Sequence, residues 1–271
     1  MSLIFKNPAV QVSQIISFLR TKYDELNKDA VIAISGGIDS ALSLTLLTKA
    51  LGAERIMPVF LPFGQQSVID SWKIVEFNGF AKEQVKIINI EPLVTAAQKS
   101  CQTDDKARLG NLMARARMMI LYDLAKAKDA LVCGTENKSE KYLGYFTRFG
   151  DEASDIEPII HLYKTQVRQL AEYLNLPQEI LEKEPSAGLW ADQTDELELG
   201  FTYEQADLVL VAMEELRLID HKNSKSQIPN SKQISNFEFQ ISKEISEKII
   251  KQIAERVVAM EFKHVVPYTL S

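Results

Sequence analysis

The stretch AVIAISGGIDSALSLTLLTKALG, residues 30–52, reads as a strand, a turn and a helix in succession. It opens with a short apolar run, through Ala33 and Ile34, that reads as a buried strand. From Asp39 its apolar residues fall at helical spacing and stop at a glycine. Between the two, Ser35, Gly36 and Gly37 turn the chain with little side-chain bulk. Such a turn presents backbone N–H groups and the positive end of a helix to an anion, so a phosphate fits there. A Walker loop would place Gly-Lys-Ser here, whereas this chain places Gly37, Ile38, Asp39 and Ser40. A carboxylate repels phosphate unless a divalent cation lies between them, and Asp39 therefore predicts magnesium. The competing reading is local: Asp39 and Ser40 cap the helix and the glycines only turn the chain.

Outward from this stretch, apolar runs and helical patterns alternate. Residues 8–26 read as an amphipathic helix, 55–63, 84–90 and 129–135 as further strands, and 67–79 and 104–128 as helices. Strands separated by helices of this length imply an α/β fold with a doubly wound parallel sheet. A single domain of 271 residues is expected, with an α/β core over 1–160 and a mostly helical part over 161–271. The helical part contains a polar linker near 221–236 and a last helix from about 243 to 260. Ligands of such sheets bind beyond the carboxyl ends of the strands, so the loops after Ile34, Phe60, Ile90 and Val132 are where a site is sought.

Composition narrows the class. Hydrophobic residues at 46% and charged residues at 25% describe an ordinary globular chain, and a net charge of -6 argues against a broad nucleic-acid surface. Cys101 and Cys133 form no metal or disulfide pattern and read as packing residues. No apolar run approaches the ~18 residues of a membrane span. The start, MSLIFKNPAVQ, lacks the features of a signal peptide, and a cytoplasmic location is expected.

The sequence SGGIDS after a first strand resembles the signature of the N-type ATP pyrophosphatases, whose loop holds the pyrophosphate of ATP. Five further segments resemble the ammonia-dependent NAD synthetases within that group: NLMARARM (111–118), GTENKSE (134–140), GYFTRFGDEASDIEP (144–158), LYKTQVRQLAEYL (162–174) and EPSAGLWADQTDELELGFTYEQAD (184–207). The resemblance implies a Rossmann-like ATP pyrophosphatase fold. It also implies adenylation of nicotinate adenine dinucleotide (deamido-NAD) by ATP with Mg²⁺, followed by displacement of AMP by ammonia, in a homodimer.

Residue by residue, the resemblance implies ATP contacts at Ala33, Ile34, Ser35, Gly36, Gly37, Ile38, Asp39, Ser40, Thr135, Lys164 and Ser186. Asp39 and Glu140 become the metal ligands, and with Lys164 the catalytic set. Arg115, Arg148 and Asp155 become deamido-NAD contacts, with Arg117 a competitor for Arg115; the family often has lysine where Arg148 stands. The tail pair Lys263 and His264 is reversed relative to the family's His-Lys, and either reaches the substrate or only packs. No residue resembles a nucleophile, and Asp155 or Asp151 is the candidate for helping to deprotonate ammonium. The chain has no room for a glutaminase domain, which makes free ammonia the expected donor. The alternatives are another adenylating enzyme of the same loop group, such as one acting on tRNA, or a non-catalytic ATP sensor; paired Glu140 and Lys164 favour an enzyme.

Overall fold

The computed structural model describes residues 3–186, 188, 193–219, 227–229 and 245–264. Four strands, β1 (Asp29–Ala33), β2 (Ile56–Phe60), β3 (Lys86–Ile87) and β4 (Ala130–Cys133), form a parallel sheet in the order β3-β2-β1-β4. Successive residues of β1 point to opposite faces. Ala30 and Ile32 enter one core with α1 (Pro8–Leu26), α2 (Ile38–Leu51), α3 (Ile69–Phe77) and part of α7 (Lys164–Tyr173). Val31 joins Val59 and Val132 in a second core under α4 (Glu91–Cys101) and α5 (Lys106–Lys128). Both faces are thus covered, as an all-parallel sheet requires.

A third apolar cluster lies beside the sheet. It joins α6 (Lys138–Leu143), α9 (Asp195–Leu199), α10 (Tyr203–Glu215) and α11 (Glu247–Met260) through Leu143, Leu199, Leu210 and Ile253, while α8 (Gln178–Leu181) adds Ile180 to the first core. Helix α7 touches α1 and α2 as well as α10, so it joins the sheet layers to the helical cluster.

Several expectations change at the edges of elements. The strand expected over 84–90 forms a ladder only at Lys86–Ile87. Ile88 and Ile90 still donate to Phe60 O and Pro62 O, so the chain runs on beside β2 without regular pairing. Helix α4 follows directly and is absent from the sequence reading, although Pro92 in its first turn is a start signal. Beyond β4, Ile156 makes a parallel bridge to Cys133, a fifth extended segment at the sheet edge. Cys133 is buried, but Cys101 is exposed at the end of α4, against the packing role expected for it. The linker at 221–236 lies outside the described residues except for 227–229. Among the described residues no helix is long and apolar enough to cross a membrane.

The chain winds from β1 through β2 to β3 on one side, then α5 carries it back across to β4 on the other. The strand order therefore reverses between β1 and β4, and the loops leaving their carboxyl ends flank one crevice.

Candidate active site

The loop after β1 is built to keep its backbone bare. Ile34 N–H donates to Val59 O at 2.9 Å, and Ile34 O accepts from Ser71 Oγ at 3.0 Å, which fixes the strand end against α3. Gly36 takes a φ of +83°, and a Cβ there would stand 3.0 Å from Asp70 Cβ and 3.4 Å from Ser71 N. Only glycine suits both that backbone and that neighbour. Gly37 then starts α2 with no side-chain cap. Ser40 Oγ donates back to Gly37 O at 2.9 Å, and Ser35 Oγ accepts from Gly37 N at 3.3 Å. Neither Asp39 nor Ser40 caps the helix, so the local reading of the motif fails on geometry.

Asp39 instead reaches across the crevice. Its Oδ1 accepts from Asn137 Nδ2 at 2.9 Å and its Oδ2 from Lys164 Nζ at 2.6 Å. Asn137 caps α6 by accepting from Glu140 N at 3.0 Å, while Glu140 Oε2 accepts from Asn137 N at 3.4 Å, a reciprocal capping box. The other oxygen of Glu140, Oε1, accepts from Lys164 Nζ at 3.0 Å. One helix start thus serves as structure and as site.

Lys164, the first residue of α7, is only 8% exposed and lies 5.0 Å from the centre of the Tyr203 ring. Its backbone N–H donates to Ser139 Oγ at 2.8 Å, and Ser139 donates in turn to Asp207 Oδ1. Asp207 Oδ2 also accepts from Thr165 N at 2.8 Å, so a buried carboxylate terminates α7 at its positive end and fixes where Lys164 begins. Burial pushes the Asp207 carboxyl up to about 6 against those hydrogen bonds. Burial by itself would lower the pKa of Lys164, but Asp39 and Glu140 outweigh it and hold the ammonium protonated. Burial, with Asp39 adding to it and Lys164 opposing, raises Glu140.

Asp39 Oδ2 and Glu140 Oε1 converge on one cation, so this position is already shaped for positive charge. Two carboxylates are the donor set of Mg²⁺ in a nucleotide site, where phosphate and water complete the shell. Among the described residues no group of three or more His, Cys, Asp or Glu side chains is placed to hold a metal ion by itself.

The remaining candidates are spread around this centre. Thr135 is half-buried just beyond β4. Ser186 is exposed and accepts from Gly188 N at 3.1 Å, and Gly188 O accepts from Gln66 Nε2 at 3.1 Å, which ties the segment to the loop after β2. Arg115 donates from Nε and Nη2 to Arg148 O at 3.3 and 3.2 Å, so these two are neighbours. The Arg148 guanidinium lies between the Phe149 and Phe262 rings, at 5.4 and 6.0 Å. Arg117, the competitor for the role of Arg115, donates to Leu61 O and Gln66 Oε1. Asp155 is engaged elsewhere: Oδ2 accepts from Val132 N at 2.8 Å, stitching it to β4. Lys263 donates to Gly144 O and Phe146 O at 2.6 and 2.7 Å, and His264 Nε2 lies 2.6 Å from Lys141 O, so the pair folds onto the end of α6.

Four residues of the centre were not singled out in the sequence. Asn137 and Ser139 lie inside the GTENKSE segment, where an asparagine followed three residues later by a glutamate is a readable capping box. Asp207 closes the segment 184–207, and Lys183 stands just before it; neither carries a local pattern of its own. Lys183 Nζ donates to Gly36 O at 3.1 Å and to Asp70 Oδ2 at 2.7 Å, bringing a second lysine to the glycine loop.

Residues 11–267 match the sequence profile of the NAD synthase family. The chain is 42% identical over 243 residues to an NH(3)-dependent NAD(+) synthetase of Pyrococcus furiosus, covering 89% of this chain and 88% of the relative. It is 38% identical over 265 residues to the enzyme of the same name from Chlorobium phaeobacteroides, covering 96% and 88%. Among solved structures, an NMN synthetase from Francisella tularensis superposes with a TM-score of 0.78 at 30% identity, covering 98% of this chain and 99% of the other. An NH3-dependent NAD synthetase from Campylobacter jejuni superposes with a TM-score of 0.76 at 28% identity, covering 98% and 100%. With a parallel sheet whose β1 and β4 loops bring Asp39, Glu140 and Lys164 to one point, and with the match running over nearly its whole length, the chain belongs to the NAD synthase family.

Proposed function

We propose that this protein makes NAD from deamido-NAD, ATP and ammonia, releasing AMP and diphosphate through an adenylated dinucleotide. The observation that carries the reading is the convergence of Asp39, Glu140 and Lys164 across the β1–β4 crevice. A glycine loop without its own lysine suits a pyrophosphate that leaves, provided that positive charge comes from elsewhere; Lys164 supplies it. The substrate carboxylate attacks the α-phosphorus, and its bond to the pyrophosphate oxygen breaks. The protein need offer no nucleophile, only position and charge.

Magnesium belongs to this reading, with Asp39 and Glu140 as its protein ligands; when bound it neutralises charge on the phosphates. Arg115 and Arg148 offer forked donors suited to the anionic dinucleotide. The homodimer and the cytoplasmic location also belong to it and rest on the family resemblance.

A coupled assay tests the reading: protein, ATP, Mg²⁺, ammonium and deamido-NAD, with NAD followed through a dehydrogenase, beside an Asp39→Ala control. NAD from the wild type and not from the control is expected. Because one structural relative is an NMN synthetase, nicotinate mononucleotide runs in parallel as acceptor. Amidation of the mononucleotide alone would overturn the dinucleotide assignment and keep the chemistry.

A further inference from the structure

At the carboxyl end of β4 a second acidic group stands beside the Asp39–Lys164–Glu140 centre. Glu157 lies against Gly134, where a Cβ would come within 1.9 Å of Glu157 Oε1. Both Glu157 oxygens are engaged, Oε1 by Ser154 Oγ at 2.6 Å and Oε2 by the Glu136 N–H at 3.2 Å. Glu136 differs. It is 7% exposed, its Oε2 lies 3.8 Å from Lys141 Nζ, and its Oε1 is buried without a hydrogen-bond partner. The charged groups that act on it are Lys141 and Glu140 from α6, and Asp151 and Glu157 from the segment after it. Three acidic groups against one ammonium make the surroundings of that oxygen acidic.

A buried acceptor without a donor costs about 1–3 kcal/mol, so an oxygen kept in this state calls for a ligand that donates. The acidic groups ask for a cation, whose charge favours their ionised forms, and the enclosure asks for a small one. Glu136 is also placed by the chain itself, between Thr135 and the Asn137 that holds Asp39 at 2.9 Å. Of the substrates in the proposed reaction, ammonium alone is small, cationic and a hydrogen-bond donor. The carboxylates expected to serve it are engaged: Asp155 at Val132 N, 2.8 Å, and Asp151 at Thr147 N, 2.9 Å.

We propose that Glu136 Oε1 is the acceptor of an ammonium site at the carboxyl end of β4, where it holds the nitrogen substrate and takes one of its protons. The proposal rests on the amidation reading above. In the transfer an N–H bond breaks, its electron pair stays on nitrogen as the lone pair that attacks the adenylate, and the proton ends on Oε1. Ammonium with carboxylate becomes ammonia with carboxylic acid, and total charge is unchanged. Burial lifts the Glu136 carboxyl to about 9, so the free protein holds a proton there. The positive charge of a bound ammonium favours the ionised form, that proton leaves to solvent, and the carboxylate so formed is a base strong enough to take a proton from the ammonium.

Glu136→Gln in the full chain is the test. NAD formation is followed against ammonium concentration at saturating ATP, Mg²⁺ and deamido-NAD, beside ATP–pyrophosphate exchange without ammonium. Loss of a charge-assisted hydrogen bond should raise the ammonium KM by about tenfold or more while exchange stays within about twofold. The defect should shrink as pH rises and free ammonia replaces ammonium. Normal exchange with an unchanged ammonium KM overturns the site. If E136Q loses exchange too, Glu136→Asp decides, because it keeps the charge and withdraws the oxygen by one methylene. A raised ammonium KM with normal exchange in E136D supports the site, and an unchanged one overturns it. Failure of the amidation reading looks different: the wild type then forms no NAD at any ammonium concentration.

Discussion

Lys164 Nζ lies 2.6 Å from Asp39 Oδ2 across 125 residues of sequence, and 3.0 Å from Glu140 Oε1. The lysine holds apart two carboxylates that would otherwise repel each other in a half-buried crevice. Removing one partner of such a cluster leaves uncompensated charge, at a cost of about 3–5 kcal/mol when burial is deep. Lys164→Met should therefore lower the unfolding temperature, and Mg²⁺ should raise it more in the variant than in the wild type, since the freed carboxylates gain a cation. ATP–pyrophosphate exchange should fall by about 10²–10³-fold with the loss of a fixed charge at the phosphates. Thermal unfolding with and without Mg²⁺ checks the first claim; an equal Mg²⁺ response in both proteins would show that Asp39 and Glu140 are not a metal pair.

Gly36 shows why the loop tolerates no side chain. Its φ of +83° and the 3.0 Å gap to Asp70 Cβ leave Gly36→Ala strained on two counts. Residues forced into this region lose about 1–3 kcal/mol, and here the strain falls on a carbonyl that Lys183 also holds, at 3.1 Å. Chemical denaturation of G36A should show a lower midpoint, and ATP affinity should weaken with it. Unchanged ATP affinity in a destabilised G36A would separate the loop's fold from its proposed role.

How much of this was legible depends on distance along the chain. SGGIDS announced a strand, a turn and a helix within 23 residues, and each formed where expected because apolar period and glycine act locally. Helix α4 was missed although Leu93, Val94, Ala97 and Cys101 fall at helical spacing, because the run is only 11 residues long and follows directly on the apolar stretch read as the third strand. The third strand looked too long because alternating polarity continues past Ile87, while the ladder depends on the course of β2, which no local pattern records. At the site, Asp39, Glu140 and Lys164 came from motifs. The Ser139–Asp207 link and the reach of Lys183 to Gly36 O span 68 and 147 residues and appear only once the chain is folded.

Two buried carboxyls predict how stability follows pH. Burial is the main cause in each, raising Glu136 to about 9 and Glu157 to about 7 from an ordinary 4.5. Above 4.5 the unfolded chain loses protons that the folded chain still holds. Stability from these groups is thus complete below the ordinary value and is lost as pH rises through the folded ones. Each such proton gives a slope of up to about 1.4 kcal/mol per pH unit. Denaturation midpoints of the protein without ATP or metal should fall from pH ~5 to pH ~9, and E136Q should flatten the fall. An equally steep decline in E136Q would mean that Glu136 holds no proton in the folded state.

The tail pair left two readings open, substrate contact or packing, and the hydrogen bonds now favour a specific consequence. Lys263 Nζ donates to Gly144 O and Phe146 O, just past the end of α6, and its ammonium stands 4.9 Å from the Phe146 ring centre. A cation there complements the negative end of the helix that carries Glu140. His264 adds a contact to Lys141 O and stacks on Phe146, so both side chains hold the same turn. Lys263→Ala should cost about 1.5–3 kcal/mol in unfolding free energy, the range for hydrogen bonds that involve a charged group. Because α6 positions Glu140, ATP–pyrophosphate exchange should fall with it, while the KM for deamido-NAD should hold. The opposite pattern, a raised dinucleotide KM at unchanged stability, would assign Lys263 to the substrate and require the tail to leave these carbonyls when the dinucleotide binds.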